Sequence, residues 1–109
     1  MDFSTLNCGA CVKSIPELKE IVKTYENKLN VFTFSADKNE KDWKKSIQRD
    51  SPTWLNLWDG KGSKSKTVIQ NQVTAYPTFI LIDENNQIVE KWSGYSDGKL
   101  KKKLNKYIQ

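Results

Sequence analysis

Asp2-Phe3-Ser4-Thr5-Leu6-Asn7-Cys8-Gly9-Ala10-Cys11 passes from an apolar strand into the start of a helix, and it carries the only two cysteines of the chain. A cysteine at a helix N-terminus meets unsatisfied backbone N–H groups and the positive end of the helix dipole. Both favour thiolate over thiol, so Cys8 is expected to be the more acidic and more reactive sulfur. Cys11 lies one helical turn on, near enough to close a disulfide with Cys8; one sulfur attacks and the other resolves. Two other readings of the pair are weaker. A bridge across so few residues constrains the unfolded chain little, which argues against a purely structural staple. Two cysteines and no histidine make an incomplete zinc site unless a second chain supplies the remaining ligands.

Outward from this stretch, strand and helix patterns alternate. Val12, Ile15, Leu18, Ile21, Val22 and Tyr25 recur at three and four residues, which predicts a helix from Gly9 to about Asn27 with one buried stripe. Pro16 falls inside it and is expected to kink it. Asn30 to Ala36 reads as a central strand. Lys38 to Arg49 reads as a second helix around Trp43 and Ile47, stopped by Ser51-Pro52. Trp54 to Trp58 is a short strand, turned by Asp59-Gly60, and the polar stretch Gly60 to Lys66 reads as a flexible loop. Thr67 to Val73 is a short helix or an irregular turn. Thr78 to Ile82 is a buried strand, Asp83 to Asn86 a hairpin turn, and Gln87 to Trp92 the return strand. Ser96-Asp97 is expected to cap a last helix with Leu100, Leu104, Tyr107 and Ile108 on one face.

This order predicts an α/β fold with a central mixed sheet between helical layers. The parallel part of the sheet would present Cys8 at the carboxyl end of a strand, where sites gather in open α/β sheets. The 109 residues fit one domain, 1–109, large enough to bury a core without staples. No stretch approaches the roughly 18 apolar residues of a membrane span. Because Met1 is followed at once by a strand, the chain reads as cut from a longer protein, its N-terminal part missing. A missing signal peptide then says little about compartment. Of the net charge of +5, much sits in Lys99, Lys101, Lys102, Lys103 and Lys106. These suit a solvated helix face near the negative end of its dipole. With no aromatic interleaving or nucleic-acid motif around them, nucleic acid is not an expected partner.

The chain resembles the thioredoxin superfamily, and within it the TlpA/ResA group of bacterial envelope thiol-disulfide oxidoreductases. The resemblance spans almost the whole chain. It rests on Asp2-Phe3, Cys8-Gly9-Ala10-Cys11, Pro16, Tyr76-Pro77-Thr78-Phe79, the turn at Asp83, and Gly94. It implies a thioredoxin fold, a three-layer sandwich in which Lys38 to Trp58 is an inserted helix-strand segment. It implies that Cys8 is the nucleophile, Cys11 the resolving thiol, and Asp2 a buried carboxylate that relays a proton to or from Cys11; a surface or frayed Asp2 is the alternative. Pro77 falls at the family's cis-proline, whereas the pattern alone equally allows an ordinary trans-proline at a strand start. Asn7, Gly9, Ala10, Tyr76, Pro77 and Thr78 would form the substrate groove.

Two departures from the family pattern bear on redox behaviour. Asn7 stands where the family usually has Trp, and Ala10 where it usually has Pro. The dipeptide between the cysteines tunes the reduction potential, which spans about 150 mV between reducing and oxidising members. Ser14 also lacks the acidic group that some ResA-like reductases carry there. The resemblance implies protein disulfides or thiols as substrates, a separate thiol electron donor, no cofactor, no metal and a monomer. It implies a periplasmic or cell-envelope location in a bacterium, with membrane attachment only through a missing N-terminal anchor. Two further classes stand beside this one: a non-catalytic thioredoxin-like binding module, favoured by Asn7 and Ala10, and a carrier of a soft metal ion on Cys8 and Cys11.

Overall fold

The computed structural model describes residues 1–108. Five strands form one mixed sheet in the order β3-β2-β1-β4-β5. They are β1 (Asp2–Ser4), β2 (Phe32–Ser35), β3 (Leu55–Trp58), β4 (Thr78–Ile82) and β5 (Ile88–Ser93). β1, β2 and β3 run parallel, with Phe3 opposite Phe34 and Phe34 opposite Leu57. β4 is antiparallel to β1, with Phe3 opposite Thr78, and β5 is antiparallel to β4. The helices are α1 (Gly9–Thr24), α2 (Glu40–Asp50), the short α3 (Lys66–Gln70) and α4 (Lys99–Asn105).

Alternation along the strands divides the core in two. Phe3, Phe34 and Ile80 point to one face and pack with Val68 of α3, Val73 and Ala36. Phe79 and Leu81 point to the other and pack with Leu18 and Ile21 of α1 and Leu100 and Leu104 of α4. α2 lies over that second face at the β3 edge. Its Trp43 stacks on Trp58 with ring centroids 4.8 Å apart and donates its indole N–H to Asn56 at 2.9 Å. The result is a three-layer sandwich with helices on both faces of the sheet, as expected.

Several elements differ from the sequence expectation. The buried line of α1 is Cys11, Ser14, Glu17, Leu18 and Ile21, while Val12 is 40% exposed. Counting apolar residues alone misplaces the stripe because Ser14 and Glu17 are buried through hydrogen bonds; the Ser14 hydroxyl donates to the Cys11 carbonyl at 2.7 Å. α1 continues through Pro16 and stops at Thr24 rather than Asn27. Lys28 and Leu29 N–H groups both turn back onto the Tyr25 carbonyl at 2.9 Å. The stretch expected to be a flexible loop is gripped by Asp59, which accepts from Lys61 N–H at 3.0 Å and from the Ser65 hydroxyl at 2.6 Å. Ser65 has no exposed surface, and a 3-10 turn forms at Gly62–Lys64.

The start of α4 is also different. Ser96-Asp97 does not cap it; Gly98 holds that position with φ 80°, a left-handed conformation open to glycine, and no side chain of its own to cap with. The capping carboxylate comes from α1. Glu17 accepts from Gly98 N–H at 2.6 Å and from Lys101 N–H at 3.0 Å, and from the Tyr95 hydroxyl at 3.0 Å. Tyr107 lies beyond the helix end and is 47% exposed, not part of the buried face.

Candidate active site

Cys8 is the N-cap of α1, in extended conformation with φ −113° and ψ 104°. Its Sγ accepts the Cys11 backbone N–H at 3.1 Å. A donor aimed at that sulfur, at the positive end of a 16-residue helix, favours the thiolate. Cys8 and Cys11 are joined as a disulfide, with Cα atoms 5.2 Å apart. The two sulfurs are unequal in access: Cys8 is partly exposed and flanked by exposed Asn7 and Gly9, whereas Cys11 is 1% exposed. An incoming reactant therefore meets Cys8 first.

Strand pairing brings the second part of the site alongside. With Phe3 opposite Thr78 in an antiparallel pair, continuing the register sets Tyr76-Pro77 beside Ser4-Thr5, the segment leading into Cys8. The Tyr76-Pro77 peptide is cis, as the resemblance implies. The Pro77 carbonyl accepts from Gly94 N–H at 2.8 Å, where Gly94 adopts φ 85°. No hydrogen bond among the described residues engages the Tyr76 N–H or carbonyl. The Tyr76 ring packs on the Phe3–Phe34 core, half-buried. Burial and, second, the nearby Asp37 charge raise its phenol above the usual range. Thr78 has no exposed surface, and its hydroxyl bonds the Ala75 carbonyl at 2.6 Å and lies 2.9 Å from the Ser93 hydroxyl. It holds the segment from behind.

Asp2 is not frayed. It is 3% exposed, on the sheet face that α1 and α4 cover. The Thr33 hydroxyl donates to Oδ2 at 2.8 Å, and Oδ1 has no partner among the described residues. Burial pushes its carboxyl up to about 6, against the opposing pull of the Thr33 hydrogen bond and the amino terminus. It lines a small cavity of about 50 Å³ together with Leu18, Ile21 and Phe79.

Two residues at the site escaped the sequence reading. Asp37, just past β2, accepts the Leu6 N–H on Oδ1 at 2.9 Å. Arg49 of α2 donates to the Leu6 carbonyl. The available signal was an Asp closing a β-rich run, which also fits an ordinary turn. Among the described residues no group of three or more His, Cys, Asp or Glu converges as a metal site, and no helix is long and apolar enough to cross a membrane.

Comparison with known proteins agrees with this geometry. A family described as thioredoxin-like matches residues 1–88. No curated protein matches the chain. Among solved structures, the thioredoxin domain of a thiol-disulfide oxidoreductase from Bacteroides vulgatus superposes with TM-score 0.85 at 27% identity, covering 99% of this chain and 76% of that one. A thiol:disulfide interchange protein from Bacteroides sp. gives TM-score 0.81 at 26% identity, covering 98% and 70%. A thiol-disulfide oxidoreductase from Bacteroides fragilis shares the fold at TM-score 0.84 and 24% identity, covering 98% and 78%.

Proposed function

Because the chain belongs to the thioredoxin-like family, whose similar solved structures are thiol-disulfide oxidoreductases, we propose that it is a protein-disulfide reductase acting through Cys8 and Cys11. The observation that carries this reading is the asymmetry of the pair: one accessible sulfur at a helix N-terminus and one buried directly behind it.

The reaction moves two electrons from the dithiol to a substrate disulfide. Cys8 thiolate attacks one substrate sulfur, forming a mixed disulfide, and the other substrate sulfur leaves as a thiolate and takes up a proton. Cys11 gives up its proton and attacks Cys8 Sγ. The substrate sulfur bound to Cys8 leaves as a thiolate and takes up a proton, and the Cys8–Cys11 disulfide remains until a separate thiol donor reduces it. Asp2 is the group we assign to receive the Cys11 proton; a carboxyl held near 6 takes and returns protons close to neutral pH. The free backbone of Tyr76 pairs with an extended substrate segment, with Asn7, Gly9, Ala10 and Pro77 around it and Thr78 fixing the wall. Residues 1–109 act as one thioredoxin-like domain. The likeness to the TlpA/ResA group supports a bacterial cell-envelope location, protein disulfides as substrates and a separate thiol as electron donor.

Reduction of insulin disulfides by dithiothreitol tests the proposal. The chain should accelerate it, Cys8→Ser should abolish the acceleration, and Cys11→Ser should accumulate a mixed disulfide visible on a non-reducing gel. An unaccelerated reaction with a fully reduced, folded chain would leave the non-catalytic binding module, the reading that exposed, polar Asn7 beside Cys8 favours.

A further inference from the structure

Leu6, two residues ahead of Cys8, has both of its peptide groups held by charged side chains from the segment following β2. Asp37 takes its N–H at 2.9 Å, and Arg49 donates to its carbonyl. Each arm is braced in turn. The Trp58 indole donates to the Asp37 carbonyl at 2.7 Å. Asp50 accepts from Arg49 Nε at 2.7 Å and from Nη2 at 3.1 Å. Asp37 is only 8% exposed, and its Oδ2 has no partner among the described residues.

A loop peptide needs neither a carboxylate nor a guanidinium; water or a neutral acceptor satisfies it. Burying a carboxylate to hold one N–H is unfavourable unless the position of that N–H matters. Here the fixed peptide leads directly into Asn7 and Cys8, and Asp37 also lies near enough to Tyr76 for its charge to act on the phenol. We propose that Asp37 and Arg49 are positioning residues, a charged clamp that fixes the Leu6–Asn7 wall of the groove opposite Tyr76-Pro77 and so sets affinity for a protein disulfide substrate. This rests on the oxidoreductase reading above. The groups acting on Asp37 are the Leu6 N–H and, from α2, Asp42 and Arg49; Asp37 in turn faces the Tyr76 phenol. Burial first, and Asp42 second, raise its carboxyl above the usual range, against Leu6 and Arg49. The clamp is therefore complete above that raised value and weakens as pH falls through it.

Amide hydrogen exchange at Leu6, paired with steady-state insulin reduction, tests the clamp. Asp37→Ala should lower Leu6 protection about tenfold or more, as loss of a hydrogen bond to a charged group does. It should also raise KM for insulin more than it lowers kcat. The Leu6 amide shift of the parent chain should titrate with pH; Asp37→Asn, which keeps an acceptor and the side-chain shape, should retain Leu6 protection but lose that titration. Arg49→Gln releases the carbonyl from the other side and provides a second arm should Asp37→Ala fail to fold; it too should raise KM. Leu6 protection within twofold of the parent in both Asp37→Ala and Arg49→Gln, or a loss confined to kcat, overturns the clamp. If the parent chain does not reduce insulin, the oxidoreductase reading fails on its own, and the exchange comparison still decides whether the clamp exists.

Discussion

Glu17 and Asp2 are both buried on the α1–α4 side of the sheet, at 8% and 3% exposure, yet their surroundings treat them oppositely. Both Glu17 oxygens are filled, by the Gly98 and Lys101 N–H groups and the Tyr95 hydroxyl. It closes the N-terminus of α4 from a different helix, joining chain segments 81 and 84 residues apart. Asp2 has one hydroxyl partner and, among the described residues, none for its other oxygen. A buried carboxylate that is fully bonded stabilises the fold; one left half-bonded destabilises it, and such a cost points to a role in function.

The largest effect that would break this contrast comes from Glu17→Ala. It removes two hydrogen bonds from backbone donors to a charged acceptor and leaves the α4 start uncapped, which should cost about 3–4 kcal/mol in urea unfolding. A loss below about 1 kcal/mol would show that α4 docks by Leu100 and Leu104 alone.

Asp2→Asn should act in the other direction. A carboxyl raised from 3.8 to about 6 by the fold is easier to ionise in the unfolded chain. The Asp2 contribution to stability therefore falls as pH rises from about 4 to about 6, by up to about 3 kcal/mol. The Asn variant should lack that decline and be more stable than the parent at pH 8, while matching it more closely at pH 4. The same variant should slow the step in which Cys11 releases substrate, and more so at neutral than at alkaline pH. Equal stability of parent and variant across that window would remove Asp2 from the account.

What the sequence disclosed follows the same division. The Cys8–Cys11 spacing, the Tyr76-Pro77-Thr78 segment and the strand–helix order are local patterns, and they were legible. The burial of Asp2 was implied by the resemblance but not by the local pattern, which equally allowed a surface or frayed residue; it depends on β1 lying between β2 and β4, paired with Thr33 and Phe79. Ser96-Asp97 has the composition of a helix cap, but the carboxylate that does the capping comes from Glu17 in α1, far away in sequence. Asp37 and Arg49 likewise meet at Leu6 only once α2 is folded over the β3 edge. Long-range polar bonds leave no period in a sequence, so the residues that hold the site in place were the ones missed.

The smallest effect provides the control. Glu40 pairs with Lys44 across one helical turn at 3.2 Å, with both side chains largely exposed. Glu40→Gln should change stability by less than about 0.5 kcal/mol. A larger loss would mean that carboxylates matter here irrespective of burial, and the contrast between Glu17 and Asp2 would lose its basis.

The most direct measurement is the equilibrium reduction potential of the Cys8–Cys11 pair against a dithiothreitol or glutathione buffer, with Cys8→Ser as the control. A reductase recharged by a dedicated thiol donor predicts a value of about −270 mV. A value of about −120 mV would make the pair an oxidant of substrate thiols and contradict the proposed direction.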